Sequence, residues 1–481
     1  MTNESCAKKI AELRKQRGMS QRELADYMGI SNRAVSKWEN ELSYPTTENF
    51  VKLTNIFNVP MDYFFSDKNK SGNEAKNIGM ESLKELYKIG TGPSSSHTMG
   101  PEKAVLEFKQ TVPEADSFIC ILYGSLAKTG KGHGTDIVVQ KTFAPIECEI
   151  RFNYSETNLP HPNTMELIAL KNGKEIKKDR ILSVGGGSIR YENSVITPPK
   201  RIYTLDTFKD ISEYCKSRKI PIWQYAFETE GNDFYSYMLG IWNAMKASVE
   251  NGLADDGILP GGLGVNKKAK YLYNYQHIDE SAETRENRIV CSYAFAVSEQ
   301  NASLGKVVTA PTCGAAGVLP AVLYYQQQKN KRSDEEIIHA LTTGGIIGNL
   351  IKTNASISGA ECGCQAEIGT ACAMAAAALG ELHRLNMDSI EYAAEIAIEH
   401  HLGLTCDPIN GLVQIPCIER NAVAAMRAIN AVNLASFLSE TRKISLDKVI
   451  IAMRETGRDL KMQYRETAEG GLASIMNRGN I

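Results

Sequence analysis

Residues 359–386 read GAECGCQAEIGTACAMAAAALGELHRLN, and the conformation of that run decides the architecture of the chain's second half. From Gly369 to Asn386 it is rich in Ala and Leu, which favour helix, and it lacks the alternation of a half-buried strand. Its most apolar part, Cys372 to Leu379, is far shorter than the ~20 residues a membrane-spanning helix needs. A buried helix is therefore expected. Similar Ala-, Gly- and Leu-rich stretches flank it: Asp233 to Gly252, Thr284 to Glu299, Asp334 to Lys352, Ser389 to His401, Glu419 to Ser436 and Leu446 to Met462. No strand is expected after about Thr229, so 226–481 reads as a compact, largely all-α domain.

Towards the N-terminus the pattern changes. Across 79–225, short β-rich runs (Ser117 to Tyr123, Ile137 to Val139, Glu147 to Phe152, Met165 to Lys171, Ile181 to Val184) alternate with helical stretches such as Gly100 to Gln110. This is an α/β domain. Gly185-Gly186-Gly187 follows a strand-like run with no helix after it, which reads as a tight turn rather than a phosphate loop. Residues 66–78 are polar and aperiodic, a linker. Residues 1–65 read as four or five short helices. Ser20 with Glu23 forms a capping-box pattern, Gly29 ends that helix, and Ser31 opens the next, a helix-turn-helix signature. The fold class is multidomain: an all-α helix-turn-helix, an α/β domain and a helical domain.

The composition, with 43% hydrophobic and 23% charged residues and a formal net charge of -2 over 481 residues, is that of globular domains with sizeable cores. It argues against a chain wrapped along nucleic acid throughout. No apolar run follows Met1, so a cytoplasmic protein without membrane attachment is expected. There the 11 cysteines stay reduced, and ligand or packing roles outrank disulfides.

Cys364, Cys406 and Cys417 stand out, two of them in Gly/Pro loops beside helices, where free amides can approach cluster sulfides. Their spacing matches neither zinc knuckles nor ferredoxin runs, so buried structural thiols are an equally good reading from spacing alone. His97, His133 and His161 lie in Gly/Pro/Ser-rich loops, which favours a site. Ser94 to Thr98 leads into a helix and resembles an anion-binding turn that could hold a carboxylate.

Gly92 to Gly100, Lys131 to Asp136 and His161 to Asn163 resemble β-domain motifs of the bacterial iron–sulfur L-serine dehydratases (L-serine ammonia-lyases). Val308 to Val322, Asn354 to Met374 and Leu402 to Ala425 resemble their α-domain. The resemblance covers nearly everything after the linker, in the family's β-then-α order. It implies a lyase of amino-acid degradation and gluconeogenesis that turns L-serine into pyruvate and ammonia. It further implies a [4Fe–4S] cluster on Cys364, Cys406 and Cys417, His133 as base with His97 and His161 nearby, and substrate contacts from Ser94, Ser95, Ser96, Thr98, Thr135 and Asn163. A homodimer is expected. The family's single-chain members often end in a cysteine that occupies the open iron. Gly470 to Ile481 contains none, so an accessible iron is expected, with Cys362 the first suspect should another residue cap it. Cys313 and Cys372 are read as packing residues.

The N-terminal segment resembles the Cro/repressor-type helix-turn-helix. This implies DNA as a partner, Gln21 on phosphate, and Asn32, Arg33, Ser36 and Lys37 facing the groove. Two alternatives remain: a serine-sensing regulator with a weak dehydratase-like domain, and a pyridoxal-phosphate dehydratase, for which no lysine has a convincing context.

Overall fold

The computed structural model describes residues 3–17, 19–40, 42–57, 64, 79–156, 158–192, 200–275 and 279–477. They fall into two compact units, Met1–Ile78 and Gly79–Ile481. The boundary sits at the end of the polar linker. The second boundary expected from the sequence, at 225/226, lies inside a helix of the larger unit.

The small unit contains α1 (Asn3–Gln16), α2 (Gln21–Met28), α3 (Asn32–Glu39) and α4 (Thr47–Phe57). Ser20 and Glu23 form a reciprocal capping box on α2, and Gly29 ends that helix in the left-handed region at φ 69°. Ile10, Leu24, Val35, Trp38 and Leu53 form the core. Arg14 donates to both Glu39 carboxylate oxygens at 2.6 and 2.8 Å, tying α1 to α3.

In the large unit, β1 (Met80–Glu81) and β2 (Ile89–Thr91) precede α5 (Gly100–Thr111), β3 (Ser117–Tyr123), α6 (Gly124–Thr129), α7 (Thr135–Phe143), β4 (Cys148–Asn153), β5 (Thr164–Lys171), β6 (Lys174–Gly185), β7 (Ser188–Tyr191) and β8 (Arg201–Tyr203). Five strands form one sheet in the order β4-β3-β5-β6-β7, parallel only between β3 and β4. Alternation along β3 buries Phe118, Cys120 and Leu122 against Val105 and Phe108 of α5 and Val139 and Phe143 of α7. The Gly185–Gly187 turn joins β6 to β7, all three glycines at positive φ.

Ile137–Val139, expected as a strand, is helical within α7. Three β-branched residues are too few to reveal a period, and packing on the sheet overrides their propensity.

The helical half comprises α8 (Phe208–Arg218), α9 (Ile222–Glu230), α10 (Phe234–Ala254), α11 (Ala269–Asn274), α12 (Ala282–Ala302), then β9 (Lys306–Val308), α13 (Val318–Asn330), α14 (Asp334–Asn354), α15 (Gly359–Cys362), α16 (Thr370–Leu382), α17 (Met387–Glu399), α18 (Cys417–Leu438), α19 (Leu446–Asp459) and α20 (Gly471–Asn477). The Ala-rich α16 is buried at every position but Glu381 and packs against α13, α14, α17 and α18. It lies so close to α14 that a Cβ on Gly344 would stand 2.6 Å from the Met374 carbonyl oxygen. The strand β9, against expectation, interrupts the helices. It pairs with β2, Ile89 opposite Val308, and so stitches the α/β part to the helical part. Among the described residues no helix is long and apolar enough to cross a membrane.

Candidate active site

A cavity of about 400 Å³ opens between the two halves of the large unit. His97, His133 and His161 line one side, with Ser94, Ser95, Ser96 and Asn163. Cys364, Cys406 and Cys417 line the other.

The histidine side is tightly braced. A single π-helical turn, Ser95–Met99, precedes α5, and Ser94 caps it by accepting from the His97 amide at 3.1 Å. His97 is held at both ring nitrogens, Nδ1 to the Ser96 hydroxyl and Nε2 to the Ser125 hydroxyl, each at 2.9 Å. His133 lies beside it, ring centroids 4.6 Å apart. Its Nδ1 is 3.1 Å from the Thr129 carbonyl, which can only accept. Nδ1 therefore carries the proton, and Nε2 is left with a lone pair. Burial lowers the His133 pKa from its ordinary value and keeps the ring neutral near pH 7. His161 Nδ1 accepts from the Asn163 amide at 3.0 Å, so its Nε2 bears a proton and can donate. Asn163 lines the cavity, and its Oδ1 is buried without a hydrogen-bond partner among the described residues.

Thr98 and Thr135, expected to touch substrate, are fully buried. Thr98 Oγ1 donates to the His133 carbonyl at 3.1 Å, and Thr135 Oγ1 donates to the His97 carbonyl at 2.6 Å. This crossed pair locks the two histidine segments together, so the two threonines position the site from behind.

The cysteine side is assembled from three loops. Cys364 follows Gly363 (φ 70°) at the end of α15. The next residue, Gln365, ties this loop to the second: its amide donates to the Leu404 carbonyl and its Oε1 accepts from the Gly403 amide. Cys406 is bracketed by the C-terminal strap, its amide donating to the Tyr464 carbonyl and its carbonyl accepting from the Glu466 amide, both at 2.8 Å. Cys417 begins α18, where Asn421 grips the Cys417 carbonyl and, across the gap, that of Gly314. Arg420 supports the Cys406 loop through the Thr405 carbonyl and Asp407.

Contact with Cys364, and then burial, push the Cys406 thiol well above its ordinary range, and burial, followed by the neighbouring Cys364, does the same at Cys417. Without a cation these thiols would stay protonated. Converging soft donors that need a positive partner in order to ionise suit iron or another thiophilic metal.

Several cavity residues escaped the sequence reading. Ser125 starts α6 at the C-terminal end of β3, where Gly124 (φ 52°) lets the chain turn under Pro162. Glu367 lies one turn after Cys364 and accepts from Thr312 Oγ1 at 2.6 Å. One of its carboxylate oxygens, the Cys364 thiol and the Cys406 thiol lie within 4.8 Å of one another. The Cys-x-x-Glu spacing was the available signal. Glu466 enters from the strap, and burial together with the neighbouring Glu367 raises its pKa to about 8.

Cys362 does not line the cavity; its Sγ lies where a Cβ on Gly457 of α19 would come within 2.5 Å. Cys313 contacts Met99, and Cys372 contacts the Ala424 carbonyl, deep in the core. In the small unit, Asn32, Arg33 and Lys37 are exposed on α3 and Ser36 is half-buried. The Gln21 side-chain amide donates to Glu39 at 2.8 Å.

Comparison with known families adds three matches. The serine dehydratase alpha chain profile covers residues 151–473, the serine dehydratase beta chain profile residues 82–145, and a helix-turn-helix profile residues 10–64. The chain is similar to an L-serine dehydratase of Haemophilus influenzae, 39% identical over 82% of this chain and 99% of the relative. It is likewise similar to one of Streptomyces coelicolor (39%, 82% and 98%) and to L-serine dehydratase 1 of Escherichia coli (38%, 82% and 99%). With the alpha-chain profile spanning the cysteine loops and the beta-chain profile spanning the His97 and His133 loops, the chain belongs to the serine dehydratase family and carries a helix-turn-helix domain ahead of it.

Proposed function

We propose that the large unit is an L-serine ammonia-lyase whose Cys364, Cys406 and Cys417 hold a [4Fe–4S] cluster. The observation that carries this reading is the shared cavity: a neutral histidine with a free Nε2 faces three buried thiols. Bound there, the cluster would supply a Lewis-acidic iron to polarise the serine C–O bond. The chain's own groups do the rest. The Ser94–Ser96 turn and His161 Nε2–H receive the substrate carboxylate, and the orphaned Asn163 Oδ1 accepts from the ammonium. His133 Nε2 takes the α-proton while the β-hydroxyl leaves as hydroxide, and the hydroxide then takes that proton from His133, giving aminoacrylate and water and restoring the neutral base. His97, fixed by Ser96 and Ser125, packs against His133 and limits its rotation. Aminoacrylate tautomerises to an imine, and water hydrolyses it to pyruvate and ammonia. The test is pyruvate release from L-serine by anaerobically reconstituted protein. No pyruvate from protein with a full complement of iron and sulfide would leave a sensing role in its place.

The helix-turn-helix supports a second reading, DNA binding through the exposed face of Asn32, Arg33 and Lys37. Two such faces, hence a homodimer, would meet paired half-sites. Selection of bound fragments from a random duplex pool tests this; retention that is independent of sequence would contradict it.

A further inference from the structure

The three cysteines leave one corner of a four-iron cluster without a protein thiol, and Cys362, the first suspect for a cap should the iron have one, is packed against α19. Glu367 is built for that corner. Thr312 fixes its Oε1 at 2.6 Å, and Oε2 points at the Cys406 thiol, 4.0 Å away. The carboxylate sits in a socket that two glycines leave open. A Cβ on Gly359 would stand 2.7 Å from Oε2, and one on Gly314 would stand 3.2 Å from Oε1. Oε2 is therefore aimed, not merely nearby: it accepts from the Cys406 thiol, and the carboxylate lies with two of the cysteine donors in one group compact enough to hold a metal ion.

We propose that the Glu367 carboxylate is a fourth protein ligand, occupying the iron that no cysteine holds until serine displaces it. This rests on the cluster reading above. Carboxylate is a harder donor than thiolate and forms a weaker bond to a thiolate-bound iron. It shields the iron from water and oxygen, yet it yields to a chelating substrate. The exchange is one oxygen donor for another, with no electron transferred. Two other carboxyls line the cavity: Glu361 accepts from the Ser356 hydroxyl, and Glu466, carried on the strap, accepts from the Ala360 amide; among the described residues neither joins the cysteine donors in a group compact enough to hold an ion.

The experiment compares wild type, Glu367→Gln and Glu466→Gln after anaerobic reconstitution. Iron and sulfide are counted first, and the clusters are then reduced and examined by electron paramagnetic resonance in ¹⁷O-enriched water. Glutamine keeps the shape and still accepts from Thr312 but offers no anionic oxygen. The expected result is no ¹⁷O broadening in wild type or E466Q and clear broadening in E367Q. E367Q should also lose its fourth iron in air faster by about tenfold or more, a factor in keeping with losing a group that supports a metal. Broadening in wild type equal to that in E367Q overturns the proposal without any variant having to fold. Broadening confined to E466Q overturns it in favour of the strap. Absence of a cluster from wild type would instead defeat the reading on which the proposal rests.

Discussion

The two walls of the cavity are finished to different degrees. On the histidine wall, His97 is held at both ring nitrogens and His133 at one, and the threonines behind them are crossed onto each other's backbone. On the cysteine wall, buried thiols and two half-buried carboxyls with raised pKa values face one another, and Arg420 lies among them. One wall is preorganised by protein alone. The other is an arrangement whose protons a metal centre would replace. Damage to the two walls should therefore separate cofactor from chemistry.

The largest effect is expected from the cysteine wall. Cys364→Ala, Cys406→Ala or Cys417→Ala should each abolish both the brown chromophore and pyruvate formation. A full cluster in C406A would break the comparison. Next, His133→Ala should keep the cluster and lower kcat by a factor of about 100 or more. Exchange of the serine α-proton with solvent should be lost as well, and near-normal kcat would move the base elsewhere. The same residue sets a pH limb. The base works only when neutral, and burial favours the neutral form, so kcat/KM should fall in acid with a midpoint below the ordinary histidine value of 6.5. A midpoint above that value would show His133 gaining, not losing, a proton on burial. A smaller effect is expected behind the wall. Thr135→Val removes the hydroxyl that holds the His97 carbonyl and should lower kcat by roughly tenfold through misplacement, leaving KM and cluster content nearly unchanged.

How much of this was legible in the sequence depended on the kind of signal. The Ser20–Glu23 capping box and the Gly29 stop are local hydrogen-bond patterns, and both appear where the sequence placed them. The buried helix at Thr370–Leu382 follows from composition alone. Ile137–Val139 misled because a short β-branched run has no readable period, and the sheet beneath it decided the outcome. Thr98 and Thr135 misled for a different reason. In a Gly/Ser/Thr loop, a hydroxyl that binds substrate and one that braces a neighbouring loop have the same sequence signature, and only the partner across the gap distinguishes them. Glu367 went unread although it lies one helical turn from Cys364, because attention to thiols hides a carboxylate among them. The β2–β9 pairing joins residues far apart in the chain, and its three-residue strands carry no pattern long enough to notice.

The central claim is that serine meets the cluster at the corner the cysteines do not hold, in front of a histidine wall already in place. Mössbauer spectra of wild-type protein reconstituted with ⁵⁷Fe, recorded without and with L-serine, test it most directly. The account predicts a four-iron cluster in which one iron site shifts on adding serine while the other three stay fixed, in wild type and His133→Ala alike. Four unshifted irons in protein that turns over serine would contradict it.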